Sequence, residues 1–282
     1  MFGPRLLARY LQNPGEPDRY GNKWQYHPRS DRHSKVGCWG VALDLLIESP
    51  LLRAHAEQGK IVLGVNHSMT DYATGRKKKL DLVIARPADV DQKVKLSFSG
   101  LAEKFKIPLT QAEQDALSSL PELRVAPVSS VLIALEAKAC MTEHIKSLPR
   151  LYDELNSSHV CVHGATKQAL AIGYVQINAA SEYISPTRNA FSLDEREPEV
   201  SRHDQPRVAQ AVLQKIREIP RRSASSEVGF DSIGVTVLDF RNDGGSVTLI
   251  EGAPAPQAND TFNYQNMIRR VATDYGSIFA RI

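Results

Sequence analysis

Val131-Leu132-Ile133-Ala134-Leu135-Glu136-Ala137-Lys138 is the stretch on which the fold turns. An unbroken apolar run followed at once by two charges reads as a strand covered on both faces, since a strand with one wet face alternates. Such a strand is expected at the centre of a sheet covered on both faces. Side chains alternate along a strand, which puts Glu136 and Lys138 on one face with Leu132 and Ala134. An acid and a base at the end of a buried strand are costly unless they are paired, hydrogen-bonded or bound to a metal.

N-terminal to that run, Ile61 to Asn66 and Leu80 to Ala85 read as two neighbouring strands joined by the charged connection His67 to Lys79. Asp81 is the anomaly in the second of them. Before these strands, Ser34 can open an amphipathic helix carrying Val36, Trp39, Leu43, Leu46 and Ile47, which Pro50 stops, and a short helix covers Leu51 to Gln58. Residues 1 to 33, rich in Pro, Gly, Arg and Asp, read as an irregular arm with a short helix at Arg5 to Leu11.

Residues 88 to 128 read as an insertion with two helical pieces, 102 to 105 and 111 to 120. After Thr142 comes a helical pattern through Ile145, Leu148, Leu151, Tyr152 and Leu155, with Pro149 kinking it or marking its first turn. Strands are then expected at His159 to His163 and at Leu170 to Asn178, and residues 181 to 205 read as a loop. A helix from Pro206 to Ile219 follows, then a hairpin, Ile233 to Phe240 with Ser246 to Glu251, and a final helix from Asn263 to Phe279. The expectation is one elaborated domain with a core over about 34 to 178 and a C-terminal hairpin-helix extension over about 206 to 282.

Composition excludes little. Lys and Arg exceed Asp and Glu by 35 to 32, too weak a bias to diagnose a nucleic-acid partner. Cys38, Cys140 and Cys161 are odd in number and lack CxxC spacing, so they read as buried thiols of a cytoplasmic protein. No segment approaches the roughly twenty apolar residues of a membrane span, and no signal-length apolar run opens the chain. His163-Gly164-Ala165-Thr166-Lys167 lacks the spacing of a phosphate loop, and the histidines form no HExxH zinc pattern.

If the strands carrying Asp81 and Glu136 are adjacent, two carboxylates converge where a hard divalent cation such as Mg2+ can sit and keep positions for water and phosphate oxygens. The cation would acidify a bound water, and Lys138 would orient that water or neutralise charge developing on the phosphate. The rival reading is a structural ion pair of Glu136 with Lys138, with Asp81 capping a turn.

Asp81 followed by Glu136-Ala137-Lys138 resembles the PD-(D/E)XK nuclease superfamily, the restriction-endonuclease-like fold, although Leu80 stands where Pro is common. The resemblance covers about half the chain, residues 34 to 178, and implies an α/β fold with a mixed central β-sheet flanked by helices and the acids at one end. It implies an Mg2+-dependent endonuclease, with Mn2+ able to substitute, that cuts double-stranded DNA as a restriction or phage-defence enzyme. It also implies a homodimer, or assembly with a partner subunit of a defence system. Many members add an acid from the first helix, which nominates Asp44, or Glu48 on the same face, as a further metal ligand. Lys77, Lys78 and Lys79 before Asp81, and His144 and Arg150 after the catalytic strand, are the expected contacts to DNA phosphates. The alternatives are a structure-specific repair nuclease and, from another class, a non-catalytic DNA-binding or assembly subunit that keeps the fold.

Overall fold

The computed structural model describes residues 1–89, 96–224 and 226–282. Three helices come first: α1 (Gly3–Gln12), α2 (Arg32–Glu48) and α3 (Pro50–Glu57). α2 is buried nearly all round, from Val36 to Leu46, which is why it serves as a central strut and not as a surface helix. α3 starts where Ser49 accepts from the Leu52 amide and Pro50 fills the first turn.

A six-stranded mixed sheet forms the centre, in the order β1 (Val62–Thr70), β2 (Lys77–Pro87), β3 (Val128–Cys140), β4 (Leu170–Asn178), β7 (Ser232–Asp239) and β8 (Thr248–Ile250). β1, β2 and β3 run antiparallel to their neighbours in turn, β3, β4 and β7 are parallel, and β8 closes the far edge antiparallel. The doubly covered strand expected from Val131 to Leu135 is therefore β3, and β4 beside it is buried at every position. A separate two-stranded ribbon pairs β5 (Glu182–Ile184) with β6 (Val200–Arg202).

The β3 to β4 crossover is α6 (His144–Ala165), which packs on one face of the sheet with α7 (Arg207–Arg217). α1, α2, α3 and α8 (Tyr264–Ile278) cover the other, around Trp39, Leu43 and Met267. The segment between β2 and β3 contributes α4 (Phe98–Lys104) and α5 (Gln111–Ser118), the latter held by a Thr110–Glu113 capping box. Residues 90 to 95 of the expected insertion lie outside the described residues.

Two expectations fail. His159 to His163 is not a strand but part of the last two turns of α6, where Leu151, Leu155, Ser158, His159 and Val162 continue the buried face at three- and four-residue steps. Residues 181 to 205 are not all loop, because β5 and β6 pair across them. Pro149 lies inside α6 and does not start it. All three cysteines are free and buried, as read. Among the described residues no helix is long and apolar enough to cross a membrane.

Candidate functional site

β2 and β3 are paired from Pro87↔Val128 to Leu82↔Leu135 and then part. β2 continues toward its start at Lys77 along β1, while β3 runs on to Cys140 beside β4. At the fork, Asn66 of β1 takes a left-handed backbone conformation, with φ 54°. Side chains sort to opposite sides across it: Leu80 joins the core under α6, Leu82 the core under α2. The two β2 residues are two apart and would share a face in a regular strand, so the chain twists at Asp81.

Asp81 therefore leaves the sheet plane. Its Oδ2 accepts from the Ala137 amide on β3 at 2.9 Å. Its Oδ1 lies 2.9 Å from the Ser34 hydroxyl, which also reaches the Asp31 carbonyl at 2.8 Å. Ser34 sits in the first turn of α2, so helix, β2 and β3 are tied together through one carboxylate. Burial raises the Asp81 pKa above the usual carboxylate value, and the Ala137 and Ser34 contacts hold it back.

Glu136 is 3% exposed. Its Oε1 lies 2.7 Å from Lys138 Nζ and 3.7 Å from Lys78 Nζ. Its Oε2 is buried and, among the described residues, has no hydrogen-bond partner. Burial raises its pKa, Lys138 opposes this, and Asp81 is near enough that its charge adds to the rise. Lys138 also reaches Glu154 on α6 at 3.4 Å, and Glu154 pairs with Arg150 at 2.6 Å. Burial works most strongly, to lower the Lys138 pKa, but the charge and hydrogen bond of Glu136 together with the charges of Glu154 and Asp81 outweigh it, so the pKa is raised and the ammonium is held protonated.

Asp81, Lys138, Arg150 and Glu154 line a cleft of about 400 Å³, to which the arm contributes Tyr26, Asp31 and His33, and Glu136 lies behind that wall against Lys138. Burial, reinforced by the Lys138 charge, lowers the His33 pKa to about 4, so its imidazole is neutral at pH 7. Tyr183, fully buried on β5, also lines the cleft and, among the described residues, has a hydroxyl without a partner.

Asp81, Glu136 and Lys138 are thus brought together, with Arg150 at the same cleft. Lys78 reaches Glu136 and is capped by the Glu154 carbonyl on α6 at 3.2 Å, so it belongs to the cluster and not to an outward basic edge. Lys77 and Lys79 are exposed on β2. His144 is not in the cleft: it is 2% exposed, its Nε2 donates to the Asn178 carbonyl at 2.7 Å, and burial lowers its pKa to about 4. A neutral, committed imidazole is not a phosphate-pairing cation.

Asp44 is also elsewhere. It lies ten residues along α2 from Ser34, about 15 Å at the helical rise, and its oxygens accept from the Phe2 and Gly3 amides, both at 2.8 Å, and from the Tyr264 hydroxyl at 2.9 Å. It caps the start of α1. Glu48 lies 3.9 Å from Arg269 of α8. The residues the sequence did not single out are Tyr26, Asp31, His33, Glu154 and Tyr183. The one readable signal among them was Glu154, four residues after Arg150 on the same helix face.

Among the described residues no three His, Cys, Asp or Glu side chains form a ready-made metal cage. Magnesium does not require one: it keeps several waters and is held by one or two carboxylates together with substrate oxygens. Two desolvated carboxylates, one with an oxygen lacking any partner, fit that donor set. No protein-family description, curated protein or solved structure matches the chain.

Proposed function

We propose that the protein is a divalent-metal-dependent endonuclease acting on double-stranded DNA, built on a restriction-endonuclease-like core. The observation that carries this reading is Asp81 and Glu136 at the fork of β2 and β3, with Lys138 2.7 Å from Glu136 and the cleft opening beside them. The order α2, β1, β2, β3, α6, β4, with the acids on β2 and β3, supports it. So does the unpartnered Glu136 Oε2, since a buried carboxylate oxygen left bare costs free energy that a bound cation would offset.

Asp81 and Glu136 would hold Mg2+ or Mn2+. When bound, the ion polarises a phosphoryl oxygen and lowers the pKa of a coordinated water. The protein's own contribution is charge and order. The Ala137 amide and Ser34 fix the Asp81 carboxylate against both strands and α2. Lys138, kept protonated against burial by Glu136, Glu154 and Asp81 together, is a donor for the negative charge that grows on the phosphate as the diester is attacked, and not a base. Arg150, 82% exposed at its side chain, is placed to pair with a phosphate at the cleft mouth. A homodimer would bring two such clefts to the two strands of a duplex, and restriction or phage defence is the setting that superfamily resemblance suggests.

The test is incubation of the purified protein with supercoiled plasmid and mixed phage DNA in Mg2+, beside Asp81→Asn, Glu136→Gln and Lys138→Met proteins and a chelator control. Cleavage confined to the unsubstituted protein with metal is the expected result. Equal cleavage by the variants, or none by any protein across metals and DNAs, would transfer the assignment to a non-catalytic DNA-binding subunit.

A further inference from the structure

The β1–β2 hairpin outruns the sheet. β3 leaves β2 after Leu82, but β1 and β2 stay paired out to Thr70↔Lys77, so the end of the hairpin and its turn over 71–76 continue past the fork as two strands alone. Cross-strand partners in an antiparallel pair share a face, and the register sorts this projection into two faces. His67, Met69, Lys78 and Leu80 lie on the side of α6; Ser68, Thr70, Lys77 and Lys79 lie on the other.

The first face is fastened along its length. Met69 and Leu80 are buried in the core under α6, and Lys78 Nζ lies 3.2 Å from the Glu154 carbonyl. Asp71, 3% exposed, fills the space that Gly164 leaves near the end of α6, where a Cβ would collide with its carboxylate. That carboxylate also accepts from the Ala73 amide at 3.0 Å and from the Thr74 hydroxyl, closing the turn. It is the only acid between residues 66 and 80, and it is committed inside the hairpin.

The second face is bare. Ser68, Lys77 and Lys79 are exposed and Thr70 is half-buried. Among the described residues neither lysine, nor the exposed Arg76 at the turn, forms an ion pair. Three like charges within four residues repel one another, and a hairpin pinned along its other face keeps them together; a polyanion relieves that repulsion. The face is also aimed. Lys77, Lys79 and Asp81 alternate along β2, and Asp81 turns to Ser34 on the side away from α6. The two lysines therefore run in line to the carboxylate at the cleft, the farther about 13 Å from it along the strand.

We infer that the bare face of this hairpin is the docking surface for a nucleic-acid duplex, with Arg76, Lys77 and Lys79 on backbone phosphates and the strand led toward Asp81. Besides a helix, a two-stranded β-ribbon is the element that the major groove, about 12 Å wide, admits. An anionic membrane fits less well, because the face is hydrophilic and Tyr72, 81% exposed at the tip, is its one large apolar side chain. The surface rests on the nuclease reading only for the choice of DNA as the polyanion.

The experiment measures binding of a labelled DNA duplex by anisotropy over a salt series, without metal. The proteins are the full chain, Lys77→Gln/Lys79→Gln, and a control, Lys60→Gln/Arg269→Gln, which removes two exposed cations before β1 and beside the end of α2. Circular dichroism verifies folding, and sedimentation with phosphatidylcholine–phosphatidylserine vesicles runs alongside. We expect the hairpin variant to bind on the order of tenfold more weakly near 0.1 M salt, with its log–log salt slope lower by about two, and the control to match the unsubstituted protein. Equal affinity and slope in all three proteins, or equal loss in both variants, would overturn the docking surface, and plasmid cleavage by the unsubstituted protein would then leave the nuclease reading standing. The expected loss, with no cleavage by any protein, would keep the surface and remove the nuclease. Vesicle binding without duplex binding, lost in the hairpin variant, would overturn the nucleic acid in favour of a membrane surface.

Discussion

Two ionic clusters sit on the same sheet and are built in opposite ways. At the N-terminal ends of β4 and β7, Arg222 donates to Asp231 at 2.9 Å and to the carbonyls of Lys167 and Ala169 at 2.9 and 2.7 Å, while Asp231 accepts from the Ala171 amide at 2.7 Å. Both residues are nearly inaccessible, at 3% and 6%. At the fork of β2 and β3, Asp81, Glu136 and Glu154 face Lys78, Lys138 and Arg150, yet Glu136 Oε2 has no partner and the group borders a cleft. In the first cluster the Arg222–Asp231 pair is closed, the one loose atom beside it being Nδ1 of His163 among the described residues, and the pair locks the chain after α7 to the start of β4. The second is held open. A closed ion network is explained by the fold it stabilises; an open one at a cleft asks for something outside the chain to complete it.

The sharpest way to break this contrast is kinetic. Asp81→Asn, Glu136→Gln or Lys138→Met should each lower plasmid cleavage at least ~1000-fold, the scale of losing a group that stabilises transition-state charge. Withdrawal of Mg2+ should do the same. Time courses on agarose gels, with folding verified by circular dichroism, decide it, and a variant within tenfold of the unsubstituted protein removes that residue from the chemistry.

Stability should respond in the reverse sense. Asp231→Ala strands a buried guanidinium and is expected to cost about 3–5 kcal/mol, read as a shifted urea midpoint with cleavage by the folded fraction intact. Asp81→Asn keeps an acceptor for the Ala137 amide and removes a desolvated charge, so its midpoint should hold or rise. A large loss for Asp81→Asn together with none for Asp231→Ala would exchange the roles of the two clusters.

The pH dependence separates them by sign. The Asp231 pKa is lowered: burial raises it, but His163, Arg222 and the Ala171 amide outweigh burial. Its contribution is therefore present above the ordinary carboxylate pKa and is lost as pH falls through the lowered value. The Asp81 pKa is raised by burial, so its contribution is present below the ordinary value and is lost as pH rises through the raised one. Against the unsubstituted protein, Asp231→Asn should show a deficit that shrinks in acid, and Asp81→Asn a relative gain that grows as pH climbs out of the acid range. Urea melts from pH 3 to 8 check both, and slopes of the same sign would defeat the assignment.

What could be read from residue order alone follows the range of the interactions. β3, β4, α7, β7 and α8 were legible because runs such as Val131 to Leu135 and caps such as Asn263 are local signals. Asp81, Glu136 and Lys138 were legible because charge in an apolar strand is conspicuous at once. The arm's share of the cleft was not: Tyr26 is held by Asn242, 216 residues away, through its amide and carbonyl. The β5–β6 ribbon was hidden because each strand has three residues and polar neighbours. Helical and strand periods also compete in His159 to His163, where burial against the sheet keeps α6 going.

Asp44 offers the smallest and most discriminating test, because it is a third buried acid that the helix pattern alone would recruit to the metal. Burial raises its pKa against the pull of the Phe2 and Gly3 amides and Tyr264, so its oxygens are already committed to the start of α1. The amides there lack intrahelical partners, and loss of a cap of this kind costs about 0.5–2 kcal/mol. Asp44→Asn retains one carbonyl oxygen and should fall at the lower end of that range, with the Mg2+ concentration dependence of cleavage unchanged. If Asp44→Asn instead raised the Mg2+ requirement while leaving the urea midpoint in place, Asp44 would belong with the open cluster, and the division between closed and open networks would have to be redrawn through α2.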